Sequence, residues 1–324
     1  MNILYIIGNG FDINLGLKTK YSQFYEYYQK QESDDELVNK IKKDINLDID
    51  NWSDLELAFG LYTKNLNDID EFDRVWEDLV DNLCNYLEKE EETLELEGLD
   101  KEKLISDLHT PEQSFAQGNK EEINNFKQKF GTATWNINII TLNYTRTLEK
   151  ILDGKFPNIH IANHQHGNIT FGNIQHIHGY TNQRTILGVN DESQVGKIDF
   201  RTNQEILEAL IKSTANQVQK HNVDRTCKSY ISKANIICIF GSSLGDTDNY
   251  LWKLIGEELK RDVKLIIFKK GEEIKQRFGH KPARTQRQIK KLFLDKTDLS
   301  ESEKEQFQEN IYVALNTPMF SLSR

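Results

Sequence analysis

The chain has 324 residues and a formal net charge of −10. That length admits one large α/β domain or a core carrying a sizeable inserted module, while the acidic balance excludes a protein that grips nucleic acid nonspecifically, because counterion-driven affinity needs Lys and Arg facing phosphates. Cys84, Cys227 and Cys238, odd in number and without C-x-x-C spacing, give neither a disulfide framework nor a zinc module and fit a reduced, cytoplasmic setting.

In chain order, the apolar start at residues 3–7 is too short to span a bilayer and lacks a basic leader. It runs straight into glycines, as a buried first strand does. Neither an export nor a membrane segment is expected. Further β-branched runs predict core strands at 137–141, 185–189, 236–240 and 263–268, with an edge strand at 310–315. Their continuous apolar character fits strands covered by helices on both faces of a parallel sheet. The stretch between the first two strands is rich in Asp, Glu, Lys and Leu, almost free of proline and too long for one crossover. The expected fold is therefore α/β, a Rossmann-like parallel sheet with a large helical insertion. The core is assigned to 1–30 and 130–324 and the insertion to 31–129, with an acidic exposed stretch near 88–97. Further helix is expected over 197–233 and 297–308. The basic run Lys269, Lys270, Lys275, Arg277, Lys281, Arg284, Arg287, Lys290 and Lys291 reads first as a solvated helix face.

The first strand leads into Gly8-Asn9-Gly10-Phe11-Asp12. Such a glycine pair lets the backbone turn tightly and bring N–H groups near a pyrophosphate. Gly16 stands too far on to complete G-x-G-x-x-G, and the charge of Asp12 suits a ribose hydroxyl or a water better than a phosphate. After Gly16-Leu17-Lys18-Thr19, the rings of Tyr21, Phe24, Tyr25 and Tyr28 share one helical face, most simply as core packing. Trp52-Ser53-Asp54-Leu55-Glu56 predicts a helix start with Ser53 as N-cap and Glu56 either closing a capping box or presenting its carboxylate from an inserted helix into a cleft. The second strand ends in Thr141-Leu142-Asn143-Tyr144-Thr145, where polar residues meet the ligand crevice of a parallel sheet. Asn143 can accept and donate at once, to a ribose or a water, or can cap the helix near Arg146.

His160, His164, His166, His176 and His178 cluster without a metal-site pattern, so no metal is expected. His178-Gly179 is the sharper feature, with glycine leaving room for a ligand beside an imidazole able to take a proton. Finally, Gly241-Ser242-Ser243-Leu244-Gly245 matches G-x-S-x-G after a strand. It admits Ser243 as a hydrolase nucleophile with Asp246 or Asp248 and His280. It also admits a second nucleotide turn, binding through backbone and hydroxyl groups.

In their order, Gly8-Asn9-Gly10, Gly16 to Thr19, Thr141 to Tyr144, His178-Gly179 and Gly241 to Leu244 resemble the motifs of the sirtuin-like NAD-binding superfamily. More of the chain resembles the AbiH family of bacteriophage abortive-infection proteins, through Ile7 to Asp12, Trp52 to Glu56, Leu142 to Thr145 and Phe240 to Asp248. The sirtuin resemblance implies nucleotide contacts at Gly8, Gly10, Gly241 and Ser242, a ribose- or water-orienting amide at Asn143, and a base at His178. The wider set expected to face NAD adds Asn9, Asp12, Thr19, Thr141, Ser243 and Asp248. The departures are Asn9 and Asp12 in the first turn, Leu142-Asn143-Tyr144-Thr145 where sirtuins have Gln-Asn-Ile-Asp, and the absence of paired zinc cysteines. Protein deacylation is therefore not implied. The resemblances together imply antiphage defence by hydrolysis of NAD to nicotinamide and ADP-ribose, with a noncatalytic nucleotide sensor and a Ser243 hydrolase as alternatives. The partners expected are NAD or a related nucleotide, a phage-derived trigger or partner protein, and a second copy of the chain, with no membrane and no strong nucleic-acid signal.

Overall fold

A computed structural model describes residues 1–154, 156–271, 278 and 280–323 of the chain. Seven strands among these residues form one sheet: β1 (Asn2–Ile7), β2 (Trp135–Thr141), β3 (Ile159–His164), β4 (Gly167–His176), β5 (Ile236–Phe240), β6 (Lys264–Lys269) and β7 (Ile311–Leu315). They lie in the order β3-β4-β2-β1-β5-β6-β7, parallel throughout except for the β3–β4 hairpin. This is the expected Rossmann-like α/β architecture. Among the described residues, no helix is long and apolar enough to cross a membrane.

The apolar runs are continuous because both faces of the central strands are covered. On β1, Ile3, Tyr5 and Ile7 join one core cluster with Ile137, Ile139 and Cys238, while Leu4 and Ile6 join another with Ile237, Ile239, Leu265 and Ile267. Side chains alternating across a strand supply both cores at once. Helices Lys101–His109 and Gln117–Gln128 cover the first face through Leu104, Leu108, Ile123 and Phe126. Helices Tyr21–Tyr28, Glu36–Leu47, Leu55–Tyr62 and Ile69–Glu92 gather round a third cluster that includes Phe24, Tyr28, Phe59 and Phe72.

The core strand expected at 185–189 is not there. The strand beside β2 is β4, which the apolar runs did not point to and which pairs from Trp135↔Ile169 to Thr141↔His176. Leu187 and Val189 instead fill the third cluster, and Val189 keeps only an isolated bridge to Ile211. The helical stretch expected at 197–233 is broken into Gln204–Leu210, Lys212–Val218 and Val223–Lys233 after a short 3-10 turn, and the last helix is Glu301–Phe307. Of the basic run, Lys281, Arg284, Arg287 and Lys291 are exposed on helix His280–Leu294, which buries Ile289, Phe293 and Leu294; Lys275 and Arg277 lie outside the described residues.

Candidate functional site

The turns after β1 and β5 interlock. A Cβ on Gly10 would stand 2.5 Å from Gly241 Cα, and one on Gly8 2.9 Å from Gly241 O; Gly241 itself has φ +71. Gly8 N–H donates to Phe240 O (2.9 Å) and Gly10 N–H to Gly241 O (2.8 Å). The glycines are thus required by each other, and the N–H groups of Gly8 and Gly10 are spent within the protein instead of facing a pyrophosphate. Asn9 and Thr19 are likewise paired. Asn9 Nδ2 donates to Thr19 O (2.7 Å), and the Thr19 hydroxyl donates back to Asn9 Oδ1.

Asp12 follows on the short helix Gly10–Asn14 and is 1% exposed. Its carboxylate accepts from the hydroxyls of Thr145 and Thr147, both just beyond the end of β2. Burial pushes its carboxyl up to about 6 against the opposing pull of those hydroxyls, with Glu91 adding to the rise. Beside it, Asn143 N–H donates to Thr141 Oγ1 (3.1 Å), its carbonyl lies 2.9 Å from His176 Nδ1, and its side-chain Oδ1 is buried without a protein partner. The expectation that Asn143 caps a helix is not met, because the helix Thr147–Ile151 has Arg146 at its N-cap.

His178 lies in the loop after β4 and is 2% exposed. Its Nε2–H donates to Asp248 Oδ1 at 2.8 Å, and its Nδ1 is buried without a protein partner. Asp248 Oδ1 also accepts from Lys212 Nζ (2.8 Å), which donates to Glu56 Oε2 at the same distance. Glu56 accepts in addition from Thr247 Oγ1 (3.0 Å) and from the Tyr144 hydroxyl (2.9 Å). Burial alone would raise the Asp248 carboxyl, yet Lys212 and His178 beside it hold it well below the usual carboxylate range. Burial opposes the charge on Lys212 too, but Asp248 and Glu56 lift its ammonium to about 12. The space foreseen beside Gly179 is filled by backbone: a Cβ there would sit 1.8 Å from Arg184 O.

These elements enclose a cleft of about 1090 Å³ at the carboxyl ends of β1, β2 and β5. Gly8, Asn9, Gly10, Asp12, Thr19, Asn143, His178, Gly241, Ser242, Ser243 and Asp248 all line it. Thr141 does not; it is buried beneath Asn143. Lys20, Lys269 and Lys270 also border the cleft, as do Tyr21 and Tyr25 from the aromatic stripe, whose Phe24 and Tyr28 are core. A cleft at the ends of parallel strands, where the order reverses direction about β1, is the usual ligand position in open α/β sheets.

Two sequence-level expectations need correction. Asp54, not Ser53, is the N-cap of helix Leu55–Tyr62, accepting Leu57 N–H at 3.1 Å, and Glu56 is turned inward, so no capping box forms. Nor does the G-x-S-x-G turn assemble a triad. Its left-handed residues are Gly241 and Leu244, not Ser243. Asp246 pairs with Lys296 and Asp248 with Lys212 and His178. Among the described residues no histidine hydrogen-bonds Ser243.

Of the other clustered histidines, three have separate partners and His166 is exposed. His176 meets Glu149 (2.6 Å), His164 stacks on Trp135 (4.1 Å between centroids), and His160 contacts Asn163 (3.0 Å). Lys212, Thr247 and Tyr144 were not singled out as site residues from sequence. Lys212 gives one faint signal, a lysine directly after the apolar pair Leu210-Ile211.

The family described as bacteriophage abortive infection AbiH has a model that matches residues 4–269, well over half of the chain. A search of the curated proteins finds no match.

Proposed function

The chain belongs to the AbiH family and so to abortive-infection phage defence, and from that premise we propose that its cleft binds a dinucleotide of the NAD class and hydrolyses the bond between nicotinamide and ribose. The observation that carries this is a pair of buried polar atoms without protein partners, Asn143 Oδ1 and His178 Nδ1, on two residues that line one cleft. Buried polar atoms are as a rule paired, so an amide acceptor and a ring nitrogen left over together favour a ligand or a water held between them. Asn143 Oδ1 accepts a hydrogen bond from the attacking water. His178 Nδ1 takes that water's proton as its oxygen bonds to the anomeric carbon, and the glycosidic electron pair leaves with nicotinamide. The ring nitrogen of NAD is positively charged, so nicotinamide departs neutral and no acid is needed. Lys20, Lys269 and Lys270 at the cleft border suit the pyrophosphate charge. The sirtuin-like motif order agrees with this use of Asn143 and His178.

Purified protein is to be incubated with NAD, alone and with phage-infected lysate, and nicotinamide release measured. Asn143→Ala and His178→Ala are each expected to slow release about 10²- to 10⁴-fold. No release in any condition, despite NAD binding, would sink the enzymatic reading. A noncatalytic nucleotide sensor is the second reading, favoured by the depth of His178 inside an ion-paired cluster. It gains if protection against phage survives both substitutions while nucleotide binding persists.

A further inference from the structure

The cluster behind His178 joins parts of the chain that are distant in sequence. Glu56 comes from helix Leu55–Tyr62, Lys212 from helix Lys212–Val218, and Asp248 from the turn after β5. Lys212 is fully buried, and its ammonium and the His178 Nε2–H approach the same atom, Asp248 Oδ1, each at 2.8 Å. Resting on the use of His178 as a base, we propose that Lys212 is a positioning residue that, by sharing Asp248 Oδ1, keeps the imidazole neutral with its proton on Nε2 and its lone pair on Nδ1.

The argument is one of charge balance. A buried carboxylate with no other cation beside it draws a proton onto a neighbouring imidazole, and an imidazolium has no lone pair with which to take a proton from water. The ammonium on the same oxygen offsets that pull. Glu56 holds the ammonium from the other side and is itself fixed by Thr247 and Tyr144. Glu56, Lys212 and Asp248 together carry one negative charge in excess, which is neutralised when Nδ1 accepts the water's proton. Other titratable groups of this neighbourhood are Asp54 ahead of helix Leu55–Tyr62, which feels Lys212 and Asp248, Tyr21 on helix Tyr21–Tyr28, which feels Glu56 and Asp248, Asp224 on helix Val223–Lys233, which feels His178, and Tyr250 on helix Asn249–Glu258, which feels Asp248. The state of the base is thereby tied to a helix between β1 and β2, since Glu56 belongs to it.

Histidine-selective ¹⁵N labelling of the full chain reads the tautomer, with His178→Gln assigning the signal. At neutral pH the wild type is expected to show a protonated Nε2 and a bare Nδ1. A proton on Nδ1, alone or together with Nε2, overturns the proposal. The double variant Glu56→Gln/Lys212→Met removes one charge of each sign and leaves Asp248 in place. Its His178 signal is expected to become that of an imidazolium, with kcat for NAD hydrolysis lowered about 10- to 100-fold and KM nearly unchanged. A neutral tautomer retained in the folded double variant also overturns the proposal. Should that variant fail to fold, the wild-type tautomer decides alone. Absence of NAD cleavage in a wild type that shows the expected tautomer removes the hydrolase reading and leaves the placement of the imidazole proton intact.

Discussion

On one wall of the cleft Asp12 is 1% exposed and meets the hydroxyls of Thr145 and Thr147; on another Asp248 is 8% exposed and meets an ammonium and an imidazole. Burial opposes the charge of both. At Asp12 it prevails and the carboxyl rises to about 6, whereas at Asp248 the Lys212 ammonium, with the His178 hydrogen bond beside it, prevails and the carboxyl falls. Hydroxyl donors satisfy hydrogen-bonding capacity without supplying charge, so they leave most of the desolvation cost standing. The two walls therefore have opposite linkage to pH. Asp12, raised in the folded state, contributes stability that is full below the ordinary carboxylate range and lost as pH climbs through about 6. Asp248, depressed in the folded state, contributes stability that is full above that range and lost on acidification.

The largest effect that can break this contrast is the slope assigned to Asp12. A carboxyl raised to about 6 carries, once ionised, a penalty of about 3 kcal/mol. In Asp12→Asn, whose amide keeps a hydrogen-bonding group toward the threonines, that penalty is gone. Urea unfolding at pH 4 and pH 7 is expected to show the variant gaining about 2 kcal/mol on the wild type between the two, since at pH 4 the unfolded carboxyl is already partly ionised. A difference that stays flat with pH means that Asp12 is not held protonated by its wall.

A smaller effect tests whether the glycines of that same wall serve shape alone. Gly10→Ala puts a methyl group where Gly241 Cα already stands at 2.5 Å, and backbone cannot swing aside as a flexible side chain does. The expected cost is about 1–3 kcal/mol, as for other overpacked sites. Denaturant midpoints at pH 4 and pH 7 are expected to fall equally, since no titrating group is touched. A loss confined to one pH would mean that the turn and Asp12 are coupled.

Much of the first wall was legible in the sequence, and of the second His178 and Asp248 but not the lysine that joins them. A strand ending in Gly8-Asn9-Gly10 and another ending in Gly241-Ser242 announce themselves because backbone that must pass within a methyl group of other backbone requires glycine. What the sequence did not disclose is that the close neighbour of each turn is the other turn. The second wall depends on Lys212, and only its place after Leu210-Ile211 hints locally that it is buried where most lysines are solvated. Its role exists only where helices Leu55–Tyr62 and Lys212–Val218 meet the loop at Asp248. The error at 185–189 has the same origin. An apolar β-branched run fits a strand and an irregular segment packed on helices equally well, and β4, with Asn168, Thr170, Asn173 and Gln175 interleaved, was the less apolar competitor that took the sheet position.

A third cleft carboxylate, Asp54, stands between the two extremes and carries the smallest of these effects. It accepts Leu57 N–H at the start of helix Leu55–Tyr62, so its compensation is a backbone donor and the positive end of a short helix, which is more than hydroxyls give and less than an ammonium. Burial still raises its carboxyl, with Glu56 next in effect. Removing the cap in Asp54→Ala exposes an unpaired N–H and is expected to cost about 1 kcal/mol at pH 7. Ser53→Ala, at the exposed residue that the sequence pattern favoured as the cap, is expected to stay within about 0.5 kcal/mol of wild type. Equal losses in the two variants would return the cap to Ser53 and leave Asp54 as a cleft carboxylate with no structural duty, which would move it to the Asp12 side of the comparison.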